Sequence, residues 1–145
     1  MATEIRIIGT EKLKLAGDHY VRAKDTLRQM ISKASDKFAV ETQATIVDKY
    51  LSGPRPEKLG RVTGRLASSI KFLIDEAADS VTIRFGSDVP YAAIHEFGGD
   101  AGPGHKVHIR ERAYLRPGIA DNLPKFQSDI EEILTMVASM PPGVA

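Results

Sequence analysis

The sequence predicts one α+β domain with a mainly antiparallel sheet, a long N-terminal helix and a C-terminal helix. Two apolar patterns with helical spacing lie towards the two ends of the chain, and two alternating runs joined by a polar turn lie between them. Locally paired strands with segregated helices are typical of this class. At 145 residues the chain fits a single domain, 1–145, whose ends at 1–9 and 139–145 are expected to be extended or flexible.

The N-terminal part is predicted to hold a short strand and a long amphipathic helix. Residues 4–8 alternate loosely, and Thr10 is a candidate N-cap for the helix. The helical pattern continues to Leu51, and the segment 52–54, Ser-Gly-Pro, ends it. The Ala-rich face favours packing on the chain's own sheet over a coiled coil. Its residues are Leu13, Ala16, Tyr20, Ala23, Leu27, Met30, Ile31, Ala34 and Phe38.

The middle of the chain is predicted to hold a loop, a hairpin and two short helical segments. The loop is 53–62, which contains two prolines and two glycines. A helical turn over 63–70 follows, and the alternating runs at 70–74 and 81–85 form the hairpin. The segment 90–99 begins with Pro and ends with Gly, as a short helix does.

The last elements are a third strand and a helix. A Gly- and Pro-rich segment, 100–104, is expected to be a flexible loop. Residues 106–112 alternate, which predicts a third main strand. A helical pattern begins at Arg116, and because Pro124 falls inside it, the helix either starts near Leu123 or kinks.

Composition excludes several classes of protein. A net charge of +1, from 20 basic and 19 acidic side chains, argues against a dedicated nucleic-acid binder. The absence of cysteine excludes disulfides and thiolate metal sites, and suits folding in a reducing cytoplasm. No apolar run approaches the ~20 residues that cross a bilayer, and the first residues lack the pattern of a signal peptide, so no membrane partner is expected.

The charges alternate in sign along the chain. The segments 53–72 and 104–116 are basic, whereas 73–100 and the tail from Asp121 are acidic. Such patches can serve head-to-tail contacts between identical subunits, and they are equally compatible with ordinary solvated surface.

Known catalytic motifs are missing: there is no G-x-S-x-G elbow, no phosphate-binding loop and no dinucleotide fingerprint. One group has the composition of a zinc site, namely His95, Glu96, His105 and His108. A metal-dependent hydrolase is therefore one alternative. Residues three apart on a strand point to opposite faces, however, so the histidines are better interpreted as surface or interface residues. No cofactor is expected.

A DNA-binding packaging accessory is a second alternative. The basic stretches lack the interleaved aromatic side chains on which bases stack, so independent DNA binding is the weaker interpretation. Phosphate contacts need only charge, which leaves room for a basic loop facing a DNA channel without sequence-specific binding.

Three blocks resemble a known family when taken in order. They are 62–70 (VTGRLASSI), 91–99 (YAAIHEFGG) and 112–117 (RAYLRP). They are similar to "TG-x-L-x-x-SI", "YA-x-x-x-E-FG" and "RPFLRPAL" of the tail-completion or minor tail component family of tailed bacteriophages, whose layout phage virion morphogenesis proteins share. The resemblance extends from about Leu13 to Leu134.

The resemblance implies a non-enzymatic virion protein at the neck or the top of the tail, assembled in the host cytoplasm. It implies a homo-oligomeric ring, expected to be a hexamer, that binds the tail tube protein and a head-completion protein. DNA would pass through its lumen without sequence-specific binding. On the same resemblance, the short helices are expected to pack on the sheet through Leu66, Ile70, Tyr91, Ile94, Phe97, Tyr114 and Leu115. The candidate interface residues are Arg61, Arg65, His95, Glu96, Arg110, Arg112 and Arg116.

Overall fold

The computed structural model describes residues 2–8, 18–52 and 64–140, with side chains from residue 23 onward. The strands in these ranges are β1 (Ala2–Ile8), β2 (Lys71–Glu76), β3 (Ser80–Gly86), β4 (Gly99–Ala101) and β5 (Val107–Ile109). The α-helices are α1 (Asp18–Thr45), α2 (Arg65–Ser69), α3 (Ala92–Phe97) and α4 (Leu115–Ala138). A π-helical turn, Ile46–Tyr50, extends α1, and a 3₁₀ turn, Pro103–His105, joins β4 to β5. The predicted α+β class is confirmed.

The main sheet is antiparallel, with strand order β1-β3-β2. The predicted hairpin is confirmed as β2 and β3, in which Ile74 lies opposite Ile83 and Phe72 opposite Phe85. Alternation places these four residues on the face that meets the helices, where Ile83 and Phe85 are fully buried. Leu73, on the other face, is exposed.

The core lies between this sheet and the two long helices. Phe38 of α1 stacks on Phe126 of α4, with 4.3 Å between ring centroids, and meets the edge of Phe85 at 6.0 Å. Aromatic pairs in these geometries add to the stabilisation from burial. The predicted face of α1 therefore packs on the chain's own sheet and on α4. A second apolar cluster joins the start of α1 to the end of α4 through Ala23, Leu27, Ile31, Ile133 and Val137.

Helix α4 packs closely against the π-helical turn at Gly118, which is buried against Ile46. A Cβ atom at Gly118 would overlap Ile46 Cγ1 and lie 3.4 Å from Ile46 Cα. The π-helical turn starts at this contact, and Asp121 of α4 accepts hydrogen bonds from Lys49 Nζ at 2.7 Å and from the Tyr50 hydroxyl at 2.6 Å. The end of α1 is thus tied to the first turns of α4.

The third main strand and the loop predicted over 100–112 are corrected, and a start of the last helix near Leu123 is excluded. The strand predicted at 106–112 does not join the main sheet: β5 covers three residues and pairs with β4, which lies where a loop was expected at 100–104. The pairing is local because only a short turn separates the two strands. Helix α4 starts at Leu115 and continues through Pro124. Pro124 and Ala120 are both exposed, so the carbonyl that loses its helical hydrogen bond can face water.

Several predicted features lie outside the described residues: Thr10 as a helix cap, residues 9–17 of the long helix, and the loop 53–62. The predicted short helices are confirmed as α2 and α3, with α3 starting at Ala92 rather than Pro90. Among the helices that the structure describes, none combines the length and apolarity needed to span a bilayer.

Candidate functional site

Glu96 is the most deeply buried charged side chain among the described residues, with 0% exposure. It lies one helical turn after Ala92 on α3, and the inward face of this short helix carries both residues into the protein. The helix ends at Gly98, whose N–H donates to the carbonyl of Ile94 at 2.7 Å. A buried carboxylate is stable only when hydrogen bonds replace its water.

The Glu96 carboxylate caps the N-terminus of α4. Its Oε2 accepts the backbone N–H groups of Tyr114 and Leu115 at 2.7 and 3.0 Å, and its Oε1 accepts that of Arg116 at 3.0 Å. The first N–H groups of a helix have no partner inside the helix, and the next residue, Pro117, has no N–H. Tyr114 supplies no side-chain cap, so a carboxylate from another helix satisfies this terminus and lies where the helix dipole favours negative charge.

Arg116 covers the Glu96 carboxylate on the side that faces solvent. Its Nε donates to Glu96 Oε1 at 2.9 Å, while Nη2 donates to the Glu96 carbonyl at 2.8 Å and to Glu111 Oε1 at 2.6 Å. The guanidinium lies 4.7 Å from the centre of the Phe97 ring. The hydrogen bond to Glu96, reinforced by Glu111, raises the pKa of Arg116, so the guanidinium stays protonated.

Tyr114 completes the arrangement from the interior. Its hydroxyl donates to the carbonyl of Ala92 at 2.8 Å, and burial, together with the nearby Glu96 charge, raises the pKa of Tyr114. The N–H of Arg112 donates to the carbonyl of His95 at 2.9 Å. We refer to Glu96, Tyr114, Leu115 and Arg116 as the Glu96 clasp. The clasp joins the second and third blocks of the family resemblance.

The segment between α3 and α4 is a projecting two-stranded ribbon, Gly99–Ile109, which we call the ribbon. Asp100 lies opposite His108 in its register, and its side chains from 102 to 108 are all exposed. At its base Gly98 has φ +70°, and a Cβ there would lie 2.8 Å from the Glu111 nitrogen. Only glycine fits this position without displacing the returning strand.

The predicted histidine group does not form one site. His108 Nδ1 lies 2.9 Å from Asp100 Oδ1, and His105 Nδ1 lies 3.4 Å from the Asp100 carbonyl, both on the exposed ribbon. His95 is half-buried, with its ring edge against Tyr91. Glu96 is enclosed by the clasp and is not available to a metal. Within residues 2–8, 18–52 and 64–140 no three potential ligands are grouped for a metal ion.

The candidate interface residues fall into distinct environments. Arg65 on α2 and Arg110 after the ribbon are exposed, and Arg61 lies outside the described residues. Arg112 is half-buried, and its Nε has no hydrogen-bond partner among the described residues. Arg116 is partly exposed but bound within the clasp. For Glu96 the interface prediction is corrected, because a fully buried side chain cannot reach a neighbouring protein.

The core prediction for the short helices holds in part. Ile70, Tyr114 and Leu115 are buried, but Tyr91 and Phe97 are exposed, the latter by 53%. Phe97 points outward because the inward face of α3 belongs to Ala92 and Glu96. Sequence reasoning missed the clasp, although one signal was present: no Ser, Thr, Asp or Asn precedes α4 to cap it.

The first block forms the entry to β2. Gly64 has φ +72° at the N-cap of α2, and Ser69 and Ser87 share a hydrogen bond of 2.6 Å that joins α2 to the segment after β3. Ser87 Oγ also accepts the N–H of Val89 at 3.1 Å. All three blocks therefore shape the same end of the sheet, from which the ribbon projects.

No curated protein and no solved structure matches this chain. The model of one protein family does match, over residues 36–136, which include the last third of α1, the three blocks, the ribbon and nearly all of α4. The matched region covers more than half of the sequence and contains every residue of the clasp. The chain therefore belongs to the phage virion morphogenesis family.

Proposed function

We propose that this chain completes the tail of a phage or joins the tail to the head, acting as a ring-forming connector at the neck. Membership of the phage virion morphogenesis family, over residues 36–136, carries the proposal and gives the chain a structural role in virion assembly. The ring, its position and its neighbours are the proposed part. Six subunits are expected, with the tail tube protein on one side and a head-completion protein on the other.

The hydrogen bonds that Glu96 and Arg116 make within the fold support a binding role. The buried carboxylate that would suit catalysis is occupied by the first turn of α4, and Arg116 is occupied by two carboxylates. The exposed Arg110 can contact a neighbouring protein, since Arg forms geometrically specific pairs at interfaces. A connector requires such surfaces and no covalent chemistry.

A ring also accounts for the modest net charge. DNA would pass through the lumen without being held, so the chain needs no large excess of cations. Assembly would take place in the host cytoplasm, and the ring would remain in the virion.

The test is electron microscopy of the purified full-length protein, alone and mixed with tail tubes of the same phage. We expect rings with a central opening, and additional density at one end of the tubes compared with tubes alone. A protein that stays monomeric at every concentration and adds no density to tubes would contradict the proposal.

A further inference from the structure

The ribbon is the least supported element among the described residues. β4 and β5 pair only with each other in that part of the chain, and Val107 on β5 is 52% exposed. A two-stranded hairpin alone is marginally stable in water. Its base is nevertheless held rigidly, because Gly98 packs on the backbone of Glu111 and the clasp fixes both flanking helices. The fold thus holds an otherwise unsupported projection in a fixed orientation.

The ribbon and the residue after it carry exposed positive charge. Lys106 and Arg110 are both exposed, whereas the single carboxylate of this stretch, Asp100, is already bound to His108. Val107, which lies between them in the sequence, adds an exposed apolar residue to the same segment. The ribbon therefore fits a partner strand that carries an exposed apolar residue and carboxylates.

The chain itself carries a surface of that description on β2 and the turn after it. β2 pairs with β3 on one side only, so its other edge has unpaired backbone groups within the described residues. Leu73 is 56% exposed on its outer face. The stretch 73–80 contains three carboxylates and no cation. Asp75 is paired with Arg84 of β3, so the exposed negative charge belongs to Glu76, which accepts a hydrogen bond from Ser32, and to Asp79.

The ribbon and the β2–β3 turn lie at opposite ends of the main sheet, which β2 spans between them. The turn precedes β3, whereas the ribbon follows α3 beyond the other end of β3, and a strand of this length spans about 20 Å. The two surfaces are therefore placed to meet between copies rather than within one. A contact between two different patches is heterologous, and such contacts generate a ring when the rotation closes.

We propose that the ribbon of one copy binds the β2 edge and the β2–β3 turn of the next copy. Lys106 and Arg110 face Glu76 and Asp79 of the next copy, and Val107 lies against its Leu73. This interface is the subunit contact of the ring and so rests on the proposed function.

The test is a charge exchange followed by analytical ultracentrifugation of the full chain. One variant carries Lys106→Glu with Arg110→Glu, a second carries Glu76→Lys with Asp79→Lys, and a third combines all four changes. A matched control, Lys37→Glu with Lys125→Glu, reverses two exposed cations on α1 and α4 that line a groove separate from Glu76. Thermal unfolding of each variant verifies that it is folded.

We expect each reversal to weaken self-association at least tenfold, and the combined variant to regain most of the loss, while the control assembles like the wild type. If the ribbon reversal assembles like the wild type, or if the combined variant regains nothing, this interface is wrong and the ring itself still stands. If the wild type does not self-associate even on tail tubes, the proposed function fails together with the interface.

Discussion

At the scale of single residues, Glu96 alone caps three backbone N–H groups at the start of α4. Its two oxygens accept the N–H groups of Tyr114, Leu115 and Arg116, so one side chain from α3 sets where α4 begins. A capping residue is normally adjacent to its helix, and this one is 18 residues away. Such a long-range contact is not encoded in any local pattern, which is why sequence reasoning assigned Glu96 to a surface.

Glu96→Gln removes the charge and keeps the shape. We expect the free energy of unfolding to fall by about 3 kcal/mol, because Arg116 and the N-terminus of α4 lose their buried counter-charge. Urea denaturation measures the loss. Glu111→Gln is the matched control, since Glu111 is exposed and contacts the same arginine. Equal effects of the two changes would show that burial of Glu96 is not what matters.

Gly64 and Gly98 share a positive φ but differ in ψ and in packing. Gly64 has φ +72° and ψ −1°, and no atom of the described residues lies within 4 Å of its Cβ position. Gly98 has φ +70° and ψ −177°, and the Glu111 nitrogen lies 2.8 Å from its Cβ position. Gly64→Ala should cost about 1 kcal/mol, the ordinary strain of a left-handed residue. Gly98→Ala should cost clearly more, because its backbone conformation is essentially restricted to glycine and the base of the ribbon must also move. Thermal unfolding of both variants measures the two losses, and equal losses would contradict this explanation.

At the scale of elements, the amphipathic patterns predicted the architecture well and the pairing of short strands poorly. The long helices and the β2–β3 hairpin each bury a periodic face, and periodicity is visible in a sequence. β4 and β5 have three residues each and expose most of their side chains, so no burial pattern marks their partners. Pro124 suggested a helix start near Leu123, but α4 begins at Leu115. A proline on the exposed face costs a helix less than one in its packed face.

The close packing of α4 against the end of α1 requires a residue without a side chain, glycine, at position 118. Helix propensity alone predicts that Gly118→Ala stabilises the protein by about 1 kcal/mol. The overlap with Ile46 predicts the opposite sign, since overpacking a core typically costs about 1–3 kcal/mol. We expect a net loss of stability in urea denaturation. A gain in stability would show that α1 and α4 can move apart at this contact with little cost.

The link between the π-helical turn and α4 should depend on pH. Hydrogen bonds from Lys49 and Tyr50 lower the pKa of Asp121 below its ordinary value of 3.8. A carboxyl with a depressed pKa in the folded state contributes stability above its unfolded pKa and loses it as pH falls through the folded pKa. Asp121→Asn should therefore lower the unfolding free energy at pH 7 and differ little from the wild type in strong acid.

Unfolding free energies of both proteins at several pH values measure this dependence. Asp36→Asn, at an exposed position on α1, is the control. A difference between Asp121→Asn and the wild type that stays constant into strong acid would contradict the charge-based explanation.

At the scale of the whole molecule, the fold separates a rigid body from a projecting ribbon. The helices and the main sheet bury the apolar residues, while the ribbon and the β2–β3 turn carry exposed charge of opposite sign at opposite ends of the sheet. The alternation of charge was visible in the sequence, but its spatial separation follows from the topology. This arrangement suits a subunit that is completed by its neighbours.

The most direct measurement of the central claim is a particle count. The gene is deleted from the phage that encodes this chain, and lysates with and without a plasmid copy are examined by electron microscopy. A connector that completes the tail or joins it to the head predicts filled heads and unattached tails in the deletion, with whole particles restored by the plasmid. Normal, infectious particles from the deletion alone would contradict the account.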